Sequence, residues 1–78
     1  MSIYEIIGRK IVLLRKRKKL TQEQLALNAE MSVSYLRSIE HGEANPTLEA
    51  LSRIADALNE PIVCMFSEEG DQEKAVEV

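Results

Sequence analysis

The sequence predicts an all-α protein, a compact single domain of five short helices. Two observations carry that prediction. Apolar residues recur at helical spacing in successive short stretches, with no strict alternation to mark a strand. The composition agrees: 45% of the 78 residues are apolar but only 4% are aromatic, so the core must be aliphatic, which suits packed helices better than a small sheet. A chain of this length has little room for both a core and a deep catalytic pocket, and oligomerisation would cover apolar surface it cannot bury alone.

The first helix is read from Ile3, Ile7, Ile11 and Leu14, which share one face, with Ile6 and Leu13 alongside. Arg15 to Lys19 place a basic cluster at its end, where cations complement the helix dipole. Leu20 is expected to close that end as an apolar plug. Thr21 reads as an N-cap, and Gln24, three residues on, completes a capping box. Leu25, Ala26 and Ala29 give a short second helix with a small-residue face. Ser32 caps a third, carrying Tyr35, Leu36 and Ile39, and Gly42 suits the left-handed position past its end. Asn45 and Pro46 mark a turn, Thr47 caps a fourth helix with Leu48, Leu51, Ile54, Ala55 and Leu58, and Asn59 ends it. Pro61 opens a last short helix, Ile62 to Phe66. The domain is thus read as residues 1–66, and 67–78 as an acidic, disordered tail.

The charge divides along the same line. The net charge is −3, yet the tail holds Glu68, Glu69, Asp71, Glu73 and Glu77 against Lys74 alone. Residues 1–66 carry nine bases and eight acids, and Arg9 to Lys19 contains seven bases and no acid. Such a run is equally a solvated helix face or an anion-binding one.

Several function classes find no residues. Three scattered glycines make no phosphate-cradling loop, and nothing pairs a nucleophile with a base or two carboxylates. His41 lacks companion metal ligands and is read as a helix-end residue; Cys64, among apolar neighbours, is read as a small core hydrophobe. No catalytic, metal or cofactor site is expected. A single cysteine rules out an internal disulfide, and with no signal peptide or membrane-spanning stretch recognised the chain reads as cytoplasmic.

The informative segment runs from Thr21 to Gly42. Two short capped helices joined by about three residues describe a helix-turn-helix, with Ala26 at the crossing and Leu25 and Ile39 facing the core. In that motif the second helix lies in the major groove of DNA. The pattern Ile-Gly-x-x-Ile-x-x-Leu-Arg at 7–15 precedes it. Leu-Thr-Gln-x-x-Leu-Ala, Ser-x-Ser-Tyr-Leu-x-x-Ile-Glu-x-Gly and Asn-Pro-Thr-Leu-x-x-Leu follow in order up to residue 51. These four fragments resemble the lambda-repressor-like, Xre-type family of bacterial and phage regulators, small restriction–modification controllers and compact repressors among them.

The resemblance implies a DNA-binding transcriptional regulator, with the helix at about 32–40 in the major groove. Gln22 takes the place of a phosphate contact that steadies the recognition helix. Ser32, Val33, Ser34, Arg37 and Ser38 form the expected reading surface. Val33, read as exposed, suits a thymine methyl, and Arg37 a guanine or a phosphate. Tyr35 is placed half in the core with its hydroxyl toward the backbone. Asn45 and Thr47 bring backbone amides to the fourth helix's start, a natural phosphate site. Lys16, Arg17, Lys18 and Lys19 are expected to add salt-dependent attraction. Arg15 and Glu40 match a pair that the family joins as a buried ion pair. Glu30 and Lys19 stand where glycine is common; if Glu30 keeps a positive φ it carries about 1 kcal/mol of strain, and otherwise the turn differs slightly.

One recognition helix reads few base pairs, so a homodimer on a palindromic operator is expected. Leu58, Pro61, Ile62, Val63, Met65 and Phe66 offer the surface for an isologous contact. A second reading keeps the fold but has it bind and silence a protein partner, as an antitoxin does, through the acidic tail.

Overall fold

The computed structural model describes residues 2–67, and among them every regular element is helical. The order is α1 (Ile3–Arg17), α2 (Gln22–Asn28), α3 (Val33–Glu40), α4 (Leu48–Leu58) and a terminal 3₁₀ turn, Ile62–Phe66. The expected fifth helix is therefore one tight turn instead of an α-helix. Its five residues follow Pro61, which supplies no N–H, and Cys64 N closes back onto the Pro61 carbonyl at 3.0 Å in the i→i+3 pattern of a 3₁₀ turn. Of the expected acidic tail, only Ser67 lies within the described residues.

Local chemistry sets both ends of each helix. Ser2, Thr21, Ser32 and Thr47 sit in extended backbone, and each side-chain oxygen accepts from the amide three residues on. Glu5 and Gln24 return the bond to the cap amide and complete capping boxes. All four helices end in the same left-handed closure. Leu20 N donates to Arg15 O, Met31 N to Ala26 O, Glu43 N to Ser38 O and Glu60 N to Ala55 O, at 2.9 to 3.1 Å. The left-handed residues are Lys19, Glu30, Gly42 and Asn59, with φ between 59 and 75°, so only one of the four is glycine. Glu30 thus keeps the positive φ that its position raised as a question, and Lys19 adopts the same conformation.

α2 and α3 are seven and eight residues long, too short to persist alone, so packing must hold them. Ile11, Leu25, Leu36, Ile39, Ile54, Leu58 and Met65 are fully buried, and each such side chain contributes about 1.5–3 kcal/mol of burial. α1 packs on α3 and the terminal turn; α2 lies between α3 and α4. Gly8 sets the approach of α1 to α3. A Cβ there would stand 2.4 Å from the carbonyl oxygen of Glu40 and 2.6 Å from that of Ile39, so only hydrogen fits.

Two side chains assigned to the dimer surface belong to this core. Leu58 and Met65 have no exposed area, because the terminal turn folds onto α1 and α4 and drives Met65 between them. Ile62 packs half-buried against the core, whereas Pro61, Val63 and Phe66 are exposed. Lys10, read as one of a solvated basic run, is also buried. Its stem lies on the protein and its Nζ donates to Ser67 O at 3.2 Å, tying the end of the terminal turn to α1.

Candidate nucleic-acid interface

The helix-turn-helix is oriented by one polar cluster and one apolar seam. Leu25 and Ala26 of α2 meet Leu36 and Ile39 of α3, all buried, which fixes the second helix against the first. The polar cluster forms where α1, α2 and α3 converge. Arg15 Nε donates to Glu40 Oε2 at 2.7 Å and its Nη2 to Glu40 Oε1 at 3.2 Å, while Nη1 donates to Leu20 O at 3.1 Å. The Glu40 side chain is 2% exposed and that of Arg15 12%, so the pair is sheltered from solvent. Such a pair is strong in geometry yet costly to desolvate, and it specifies an arrangement more than it adds stability.

Gln22 joins the cluster from the start of α2. Its Nε2 donates to Glu40 Oε1 at 2.8 Å, and its Oε1 accepts from Arg37 Nε at 2.9 Å. Arg37 Nη2 lies 3.6 Å from Glu23 Oε2, an exposed pair worth little by itself. The side chains of Gln22, Arg37 and Glu40 are thus brought together, although 18 and 15 residues separate Gln22 from its two partners. No local pattern announces a link over that distance.

The outward face of α3 is narrower than its sequence suggested. Ser34 and Arg37 are exposed, while Leu36, Ile39 and Glu40 point inward. Val33 is half-buried and packs on the core, as does Tyr35, so Val33 is not the freely exposed apolar residue expected at a helix start. Ser38 is half-buried too; its hydroxyl donates to Tyr35 O at 2.7 Å. The Ser32 hydroxyl accepts from Tyr35 N at 3.0 Å and keeps its own proton to donate.

α4 begins beside this face. Thr47 accepts from Ala50 N at 3.0 Å, and Asn45 is exposed on the approach. Ser32 and Tyr35 line one wall of a shallow open groove whose other wall is Thr47, Ala50 and Arg53, so the starts of α3 and α4 share a surface. Both starts carry amides with no intrahelical acceptor, suited to phosphate. Glu30 and Glu49 flank the groove, and Arg53 is drawn to Glu49 at 2.8 Å.

The basic end of α1 divides. Lys16, Arg17 and Lys19 are exposed, but Lys18 Nζ lies 3.5 Å from Glu60 Oε2, beyond the far end of α4. α4 spans eleven residues, about 16 Å at helical rise, so Lys18 is held roughly that far from the Thr47 end of the shared surface. Among the described residues no group of His, Cys, Asp and Glu is arranged to hold a metal ion.

A family model described as "Helix-turn-helix" matches residues 11–63, which spans α2 and α3 and most of their packing partners. The chain belongs to this helix-turn-helix family. Within it, the chain is 43% identical over 63 residues to the immunity repressor protein of Bacillus phage phi105, a match covering 81% of this chain. It spans less than half of that repressor's length, 44%. Over 70 residues it is 34% identical to the control protein C.SmaI of Serratia marcescens, covering 90% of this chain and 83% of that one. The crystal structure of the restriction-modification controller protein C.AhdI from Aeromonas hydrophila superposes with a TM-score of 0.79 at 30% identity. That match covers 81% of this chain and 96% of the controller. The chain thus carries the DNA-binding helix-turn-helix domain of transcriptional regulators of the repressor and controller type, a non-enzymatic family. Among its described residues no helix is long and apolar enough to cross a membrane.

Proposed function

We propose that the protein is a sequence-specific regulator that binds a palindromic operator as a homodimer, with α3 in the major groove. The observation that carries this reading is the division of α3. One face is locked to the core by Leu36, Ile39 and Glu40, and the other presents Ser34 and Arg37 to solvent. A helix held that firmly presents its outward side chains in one geometry, which base reading requires. Ser34 is a hydrogen-bonding contact of low information content, and Arg37 is the strong base reader. Val33 and Tyr35, half-buried, limit how closely the helix edge approaches the groove floor. Ser38, with its hydroxyl turned to the backbone, contributes as a small residue that admits the DNA.

Phosphates are held on either side. The hydroxyls of Ser32 and Thr47 and the amides behind them, with Asn45, grip one strand, while the cations at the end of α1 reach the other. Gln22, its amide engaged by Glu40 and Arg37, acts through α3 and not on a phosphate. Arg17 supplies long-range attraction there. Lys18, engaged with Glu60, contributes only through its charge. The two-fold contact uses Val63 and Phe66, exposed at 67% and 38%, with Pro61 and Ile62 at its edge. The first 66 residues suffice as the binding domain, and the protein acts in the cytoplasm.

Selection of bound sequences from a random duplex pool tests this reading. The expected product is a two-fold symmetric site with half-sites about one helical turn apart. Failure to enrich any sequence at low salt, together with a protein partner co-purifying at fixed stoichiometry, would replace it with the antitoxin-like reading.

A further inference from the structure

The hydrogen-bond chemistry around Gln22 leaves no choice of orientation. Glu40 Oε1 only accepts, so the group facing it at 2.8 Å must be the amide nitrogen. Arg37 Nε only donates, so the group facing it at 2.9 Å must be the amide oxygen. A primary amide carries both functions on one rigid plane. Glutamate here would set a second carboxylate against Glu40, and lysine a second cation against Arg37. Glu40 is itself fixed, 2% exposed and clamped by two bonds from Arg15.

We infer that Gln22 is a positioning residue: it relays the fixed geometry of the buried Arg15–Glu40 pair to the exposed guanidinium of Arg37, making Arg37 a specificity-determining residue for guanine. The inference rests on the reading of α3 as the base-reading helix. Tethering Arg37 through Nε restrains χ rotation of an otherwise flexible side chain and leaves the two terminal nitrogens as a fork. That fork matches O6 and N7 of guanine in the major groove. Glu23, 3.6 Å from Nη2, holds the same fork in the free protein and is displaced when the base arrives. Ordering Arg37 beforehand lowers the entropy lost on binding, so the tether acts on recognition and not on general DNA affinity.

A double-mutant cycle on the intact protein tests the relay. Gln22→Met, Arg37→Ala and the double variant are titrated against the selected duplex and against duplexes changed at each base pair in turn. Arg37→Ala should abolish preference at one G·C pair per half-site, a loss on the order of 5- to 150-fold. Gln22→Met should weaken preference at that same pair by roughly three- to tenfold, leave the other positions unchanged, and add nothing to Arg37→Ala. An equal loss on every duplex that adds fully to Arg37→Ala would overturn the relay while leaving Arg37 as a base reader. Should Arg37→Ala itself weaken all duplexes equally and lower the salt slope by about one, Arg37 is a phosphate contact and the guanine assignment fails. If Gln22→Met does not fold, hydrogen exchange at the Arg37 Nε–H of the native protein decides. Protection severalfold above that of the exposed Arg9 supports the tether, and equal rates exclude it.

Discussion

Removing the cation from the buried pair, as Arg15→Met, isolates the cost of an unmatched charge. The methionine refills most of the stem volume, so little of the effect comes from a cavity. Glu40 then loses both bonds from Arg15, at 2.7 and 3.2 Å, and the Leu20 carbonyl loses its donor at 3.1 Å. Its carboxylate stays 2% exposed with one remaining donor, Gln22 Nε2. Breaking such a pair costs about 3–5 kcal/mol, and the surviving Gln22 bond places this case near 3. A domain of 78 residues has about 4–12 kcal/mol in total, so roughly a quarter to three quarters of its stability is at risk. In urea, with an m-value of about 1 kcal/mol/M, the midpoint should fall by about 3 M. Arg15→Met combined with Glu40→Leu removes the stranded charge and should recover most of the loss. A single-variant loss below about 1 kcal/mol would mean that water reaches Glu40 and that the pair behaves as a surface one.

Gly8→Ala should cost about 1–3 kcal/mol or prevent folding, since the new methyl meets two backbone carbonyls that cannot step aside; a thermal melt within a degree of wild type would show that α1 can shift. Glu30→Gly relieves a left-handed backbone at the cost of extra unfolded-state entropy, so a net gain of up to about 1 kcal/mol is expected in urea melts, and a clear loss would show that the Glu30 side chain stabilises the turn. Val63→Asp alters a side chain that is 67% exposed, so the helical content should persist while analytical ultracentrifugation shows monomer; an unchanged dimer would move the two-fold contact elsewhere.

What could be read from the sequence were the features decided within a few residues. Thr21, Ser32 and Thr47 cap because a hydroxyl and an amide three positions on are neighbours whatever the rest of the chain does. Gly42 and Asn59 end helices for equally local reasons. Periodicity also places Leu25, Leu36 and Ile39 inside. It fails where an apolar residue has two surfaces to choose between. Leu58 and Met65 suited a dimer face as well as a core, and only the fold-back of the terminal turn decides. Lys10 carries a charge that reads as exposed, yet its long stem reaches across to Ser67. Gly8 has no positive φ or turn to reveal it; its need is the backbone of α3 passing overhead. The orientation of Arg37 depends on Gln22, which depends on Glu40, and no single stretch contains that chain of dependence.

The shortness of α2 and α3 ties the lifetime of the protein to the occupancy of its site. Neither helix persists without the core, so there is no partly folded form that still reads DNA. Binding of a duplex would therefore withdraw the folded domain from the unfolded pool, and at a hundred times the dissociation constant it would add about 2.7 kcal/mol to apparent stability. A protease that attacks the opened chain would then clear free protein about a hundred times faster than bound protein. Turnover itself would sharpen the contrast between an occupied operator and surplus regulator.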